Sequence, residues 1–387
     1  MRKKPVLANR LLIEGALTFY GNRYVKKKIN LFSDGEFSRI QPPYIVLANH
    51  CSFADVAGLI KLMHPVCANF VASETQIVQW PKLIMQMGIL PKKQFTVDMS
   101  LLSSIKYCLQ NKRPVVIYPE AKLSVTGTPN MIKPSVAKLV KMFKVPLVTV
   151  CFHGSYLHRP RWAKSSRYVP VMAEIKVAAD EEEVKTLSVQ EIYRRIVQNL
   201  QYDDYAYQRR NQIKIFPPDL LDGIQNVLYK CPCCGAEFRM SAQWNKLSCK
   251  ACGETVHMDE YGVLHGGKFC SVTTWYEWQK KQLRREIEEG KFCYDHAFAA
   301  QKLVKGKYRD AGGAHITQDG AGTHVLFESG ERLEYPVGTF YTLSFNNDYV
   351  FLPTAEAVYR FRRVDSVGCT TKLNIAIEQY ALIAEGH

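Results

Sequence analysis

Two short cysteine pairs constrain this chain more tightly than any other feature. CPCCG and CKACG place Cys231 and Cys234 two residues apart and, after fourteen residues, Cys249 and Cys252 at the same spacing. Each pair runs directly into a glycine, which reaches the backbone conformations needed to turn a tight knuckle around an ion. Four thiolates so arranged suit tetrahedral zinc with every coordination position filled, a structural Zn2+ site. Free core cysteines have no reason to fall as two glycine-terminated pairs. Five of the twelve cysteines lie between residues 231 and 252, which points to a metal site in a reducing compartment and not to a disulfide framework. No redox cofactor is expected. Cys233 sits between ligands and is spare, and His257 is a weaker candidate for a ligand position.

The charge is distributed unevenly. Residues 1–150 hold 21 Lys/Arg against 7 Asp/Glu, a balance of +14, whereas residues 151–225 have 11 against 10 and residues 226–387 have 19 against 19. The basic part seeks anions: nucleic acid, an acidic membrane surface or phosphorylated small molecules. Around the cysteine pairs the charge is near zero, with few arginines interleaved with aromatics, which argues against a nucleic-acid-binding zinc protein. The opening segment is basic and then partly apolar, but Arg10 and Glu14 interrupt it too early for a secretory signal. No run of eighteen apolar residues exists to form a conventional transmembrane helix. This segment is expected to be an amphipathic helix packed on its domain; the sharper reading lets Lys26, Lys27 and Lys28 meet acidic headgroups.

Short apolar runs at 44–48, 66–72, 114–118, 145–150 and 169–177 read as buried strands, with helices near 54–63, 75–87, 99–111 and 132–143 between them. That alternation favours an α/β layer with a largely parallel sheet. One longer helix is expected over 188–210, and FPPDLLDG at 216–223 closes the first domain. Beyond the cysteines, 271–290 reads as a helix. Turn signals then split 299–362 into short β runs, and a last helix lies near 370–384. Meandering strands with a terminal helix suit a small domain of the pleckstrin-homology type, on pattern alone. Trp275, Tyr276 and Trp278 are expected to pack their helix onto its neighbour.

The first of these strands ends in LANHCSFAD. An imidazole is the side chain best suited to general-base work near neutral pH, and a carboxylate on its second nitrogen sets the tautomer and steadies the cation. His50 and Asp55 offer that pair across a turn. Ser52-Phe53-Ala54-Asp55 is equally a helix capping box, in which Asp55 serves only the backbone. On local grounds the two readings are even. The neighbouring strand ends break the tie, because ligands in α/β sheets collect outside the carboxyl ends of strands. YPEAKLS puts Glu120 just past Pro119, MGILPKK puts Lys92 and Lys93 on a loop, and together with Asn49-His50 they imply one shared pocket.

These blocks resemble those of the lysophospholipid (glycerolipid) acyltransferase family, typified by bacterial 1-acylglycerol-3-phosphate acyltransferases. NHCSFAD is similar to its first block, YPEAKLS to its third, MGILPKK to its second and VPLVTV to its fourth, over about residues 40–200. The resemblance implies an α/β domain with a mixed, largely parallel sheet, in which His50 is the general base and Asp55 its orienting acid. Glu120, Lys92, Lys93, Lys122 and Ser124 would bind the acceptor. It also implies direct transfer of an acyl group from acyl-CoA or acyl carrier protein to a lysophospholipid hydroxyl, at the cytoplasmic face of a bacterial membrane, peripherally bound, with no nucleic acid as partner. The chain departs from the family at Ala121-Lys122-Leu123, where Gly-Thr-Arg is usual. Lys122 then stands in for a phosphate-holding arginine as a point charge without its fork. A non-catalytic lipid-binding adaptor on the same fold is the competing reading. Residues 224–262 resemble the ribbon appended to some bacterial acyltransferase-like proteins. The expected division is 1–222 acyltransferase domain, 223–264 zinc ribbon and 265–387 helix plus β-rich domain.

Overall fold

The structure, a computed structural model, describes residues 4–18, 29–35, 37–77, 85–92, 98–304, 306–354, 357–364 and 367–386. Lys26, Lys27, Lys28 and Lys93 lie outside them. The chain divides into two compact units, residues 1–160 with 166–215, and residues 161–165 with 216–387.

The first unit is built on seven strands: β1 (Ile29–Asp34), β2 (Ile45–Ala48), β3 (Asn69–Ser73), β4 (Ile89–Lys92), β5 (Val115–Ile117), β6 (Leu147–His153) and β7 (Val169–Ala179). Their order across the sheet is β1-β7-β6-β2-β5-β3-β4, and every neighbouring pair is parallel except β6 with β7. This is the mixed, largely parallel sheet that the alternating pattern called for. All four residues of β2 are buried. A strand covered on both faces loses its alternation, which is why it reads as an unbroken apolar run. From this central position β2 leads away to β3 on one side, while its neighbour β6 leads to β7 on the other. Adjacent strands whose connections diverge leave a crevice at their carboxyl ends.

Helix α1 (Arg10–Ala16) starts on Asn9, whose side chain accepts from the Leu12 amide, and buries Ile13 in a small cluster with Ala8, Leu17 and Cys67. Helices α2 (Phe53–Met63), α3 (Met99–Gln110) and α4 (Ser135–Phe143) fall where the apolar spacing placed them. The helix expected over 188–210 is two: α5 (Val189–Asn199) and α6 (Asp204–Arg210). Asp203 ends the first by starting the second, its carboxylate accepting from the Ala206 amide at 2.8 Å. Of the helix expected over 75–87, the structure describes Glu74–Ile77; residues 78–84 lie outside the description. Strands β1 and β4 were not legible, and Lys92, expected on a loop, is the last residue of β4.

In the second unit a four-stranded sheet, β8 (Met240–Gln243), β9 (Lys246–Cys249), β10 (Thr255–Met258) and β11 (Leu264–His265), follows the first cysteine pair. Helix α7 (Val272–Glu288) buries Trp275 and Tyr276. Phe269 packs against both Trp275 and Trp278, so these aromatics serve packing, as expected. Seven further strands, β12 (Asp295–Val304), β13 (Lys307–Gln318), β14 (Gly322–Phe327), β15 (Arg332–Pro336), β16 (Ser344–Phe345), β17 (Tyr349–Pro353) and β18 (Val358–Arg363), lie in the order β15-β14-β13-β12-β18-β17-β16. All neighbouring pairs are antiparallel. Helix α8 (Cys369–Ala384) contributes Leu373 and Ile377 to the core of this sheet beside Phe298, Ile316 and Phe361. A meander of four strands, a second of three and a closing helix form the β-rich region that the turn signals outlined.

Candidate active site

The carboxyl ends of β2, β5 and β6 carry the side chains that matter, and all belong to the first unit. Asn49 leaves β2 fully buried and clasps β6 by both ends of its amide: it donates to the Phe152 carbonyl at 2.8 Å and accepts from the Phe152 amide at 2.7 Å. This clasp aligns the exits of the two strands. His50 follows, with its side chain 22% exposed.

Asp55 satisfies both readings that the sequence left open. Ser52 and Asp55 form a complete capping box at the start of α2, with the Ser52 hydroxyl accepting from the Ala54 amide. The Asp55 carboxylate is fully buried. Its Oδ2 accepts from the amides of Cys51 at 2.6 Å and Ser52 at 2.9 Å, and lies 3.1 Å from His50 Nδ1. An oxygen already accepting two amide protons acts toward the imidazole as an acceptor. Nδ1 is therefore the protonated nitrogen, and Nε2 keeps its lone pair. One carboxylate thus caps a helix and fixes a tautomer. The Tyr118 ring stacks on the imidazole, with centroids 4.1 Å apart.

The third block holds His50 by its backbone. Glu120 Oε1 accepts from the His50 amide at 3.2 Å, and the Ser124 amide donates to the His50 carbonyl at 2.8 Å. Glu120 is only 2% exposed, and its other oxygen accepts from the amide and the side chain of Asn130, at 2.7 and 2.8 Å. The Tyr202 hydroxyl donates to the same carboxylate. Burial pushes the Glu120 carboxyl up to about 7, against these hydrogen bonds, which pull it down. Ser124 is fully buried, its hydroxyl donating to the Thr128 carbonyl and accepting from the Gly127 amide. Glu120 and Ser124, expected at an acceptor's head group, are both buried, and each hydrogen-bonds the peptide that carries the histidine. Lys122, at 9% exposure, is also largely buried, and Lys92 is exposed.

Several participants carry no signal of their own in the sequence. Asn130 and Tyr202 reach Glu120 from 10 and 82 residues away. Ser155, after β6, donates its hydroxyl proton to Asp55 Oδ1 across 100 residues of chain. The break between α5 and α6 brings Tyr202 inward, and the Asp-Asp that causes it is a cap signal visible in the sequence.

In the second unit the Sγ atoms of Cys231, Cys234, Cys249 and Cys252 all lie within 4.8 Å of one another, a group able to hold a metal ion. Cys231 to Cys252 and Cys234 to Cys249 are each 3.8 Å. A tetrahedron of sulfurs about 2.3 Å from zinc has edges of about 3.8 Å, so the donor set fits that ion. Gly235 and Gly253 take φ of +72° and +80°, the knuckle conformation their positions called for. Cys233 and His257 are outside the group.

Residues 17–153 match the Acyltransferase family model. Among solved structures, the chain is similar to the 1-acyl-sn-glycerophosphate (LPA) acyltransferase PlsC from Thermotoga maritima, at 18% identity and a TM-score of 0.42, covering 48% of this chain and 75% of that one. No curated protein matches.

Proposed function

From the match of residues 17–153 to the Acyltransferase family model we propose that the chain transfers an acyl group from a thioester, acyl-CoA or acyl carrier protein, to the hydroxyl of a lysophospholipid resembling 1-acylglycerol-3-phosphate. The observation that carries this reading is the contact of His50 Nδ1 with Asp55 Oδ2 at 3.1 Å on a partly exposed imidazole.

With Nδ1–H committed to the carboxylate, Nε2 can accept the proton of an incoming hydroxyl as its oxygen attacks the thioester carbonyl. The acyl–oxygen bond forms, the carbon–sulfur bond breaks, and the proton held at Nε2 is available to the departing thiolate. Asp55 stabilises the imidazolium in between. No covalent enzyme intermediate is needed. The Cys51 side chain is fully buried, and burial raises its thiol well above the ordinary range, which makes it a poor nucleophile. Lys92, Lys93 and Lys122 are the residues we assign to the acceptor's anionic head. Glu120 and Ser124 hold the His50 peptide in place.

We further assign zinc to the four cysteines as a structural ion, the work of acyl transfer to residues 1–222, and the ribbon and β-rich parts to 223–264 and 265–387. Docking would be peripheral, on the acidic inner face of the cell membrane. Among the described residues no helix is long and apolar enough to cross a membrane.

The test is thiol release from acyl-CoA in the presence of a lysophospholipid. His50→Ala should reduce kcat by about 10²–10⁴. Asp55→Asn, which can still accept from the Cys51 and Ser52 amides, should reduce kcat comparably yet leave the melting temperature near that of wild type. Asp55→Ala should lose activity and, in addition, about 1–3 kcal/mol of stability. Undiminished turnover in His50→Ala would remove the assigned base.

A further inference from the structure

We propose that Ser155 is the third positioning residue of the dyad, orienting Asp55 so that His50 faces substrate in one tautomer; this rests on the acyl-transfer reading above. Ser155 is fully buried directly after β6, just past Gly154. Its hydroxyl proton goes to Asp55 Oδ1, the carboxylate oxygen that the imidazole and the cap amides leave free. The Ser52 hydroxyl lies 3.1 Å from the Ser155 hydroxyl. Since Ser155 spends its only proton on Asp55, Ser52 is the donor of that pair. The order Ser52 to Ser155 to Asp55 Oδ1, with Asp55 Oδ2 accepting from His50, is then the only one in which each hydroxyl proton is used once.

Ser155 is itself held from both sides. The amides flanking it, of Gly154 and Tyr156, donate to the two oxygens of the buried Asp204 carboxylate at 2.8 and 2.7 Å. Gly154 has φ of +86°, and a Cβ there would lie 2.7 Å from the Pro170 carbonyl oxygen and 2.9 Å from the Tyr207 ring. Neither the turn nor its anchor has room to shift. A hydroxyl so fixed, aimed at one oxygen of a buried carboxylate, prevents the carboxylate from rotating about its own axis. It also takes up charge that would otherwise concentrate on the bond to Nδ1. The match to the family model stops at residue 153, two positions before this serine.

Removing the hydroxyl takes from Oδ1 the donor that holds it and lets the carboxylate turn, so the single Nδ1–H tautomer of His50 should no longer be enforced. The ionisable groups against His50, namely Asp55, Glu120 and Tyr118, are unaltered by the change. The experiment reads the tautomer of His50 from the NMR chemical shifts of its ring nitrogens in the full-length chain, for wild type, Ser155→Ala and Ser155→Cys. Steady-state thiol release is measured on the same samples. The share of the Nε2–H tautomer should rise in Ser155→Ala, with Ser155→Cys between it and wild type. In step with it, kcat should fall about tenfold while KM moves less than about twofold. If Ser155→Ala does not fold, Ser155→Cys keeps the volume and a weaker donor and carries the comparison alone. An unchanged tautomer with unchanged kcat per folded molecule overturns the proposal. A changed tautomer in a chain whose wild type turns over no acyl donor leaves Ser155 as the residue that orients the dyad and removes the acyl-transfer reading instead.

Discussion

At the scale of single residues, two buried carboxylates in the first unit differ in the partners that surround them. Asp55 faces an imidazole, two amides and a hydroxyl, whereas Glu120 meets one side-chain amide, two backbone amides and a phenol, with no cation among these partners. Burial therefore dominates for Glu120 and lifts its carboxyl from 4.5 to about 7. The folded state then binds more protons than the unfolded chain between those values. The associated stability is fully present below the unfolded value and is lost as pH rises through the folded one. Asp204, raised by burial to about 8, adds to the same trend. Urea midpoints should consequently fall between pH 5 and pH 8.5, and Glu120→Gln should flatten that fall while preserving the shape of the residue. A slope identical to wild type in Glu120→Gln would show that this carboxyl is already ionised throughout. The dyad itself was legible from LANHCSFAD, but the sequence offered its two roles as rivals. They coexist because a carboxylate has two oxygens and several lone pairs, and the turn brings the histidine and the cap amides to the same oxygen.

At the scale of elements, the cysteine ribbon is the segment most completely described by spacing. The grouping of its four sulfurs and the conformation of its knuckle glycines follow from two pairs and the fourteen residues between them, whereas its short sheet was not read from the sequence. Local spacing suffices because every ligand lies within one short stretch of chain. The purified chain should contain about one zinc per molecule. A Cys249→Ser, Cys252→Ser double variant should lose that ion and become sensitive to proteolysis within 224–262, and a folded wild-type chain free of metal would refute the ribbon. The break between α5 and α6 was less legible, since apolar periodicity runs on through it. Asp203 starts the second helix with its own cap, and Tyr202, between the two, is buried against Glu120. Strand β4 was missed for a related reason: at the edge of the sheet, Ile89–Lys92 has a mixed burial pattern with no clear alternation.

At the scale of the whole molecule, the excess positive charge of residues 1–150 makes adsorption to acidic lipid the expected behaviour of the chain. Flotation with vesicles containing phosphatidylglycerol should exceed flotation with neutral vesicles and should weaken steeply between low and physiological salt, as screening shortens the reach of the charge. Equal binding to neutral vesicles at every ionic strength would discredit that docking. Composition and order along the chain were enough for this charge map, for the alternation of strand and helix, for the cluster of four cysteines and for the proximity of His50 to Asp55, because each depends on residues near one another in sequence. The inward turn of Glu120 and Ser124, the clasp of Asn49 on β6 and the donor for the second oxygen of Asp55 were decided by the sheet. Strand order sets β2 beside β5 and β6, and only that adjacency converts contacts spanning up to 103 residues into hydrogen bonds.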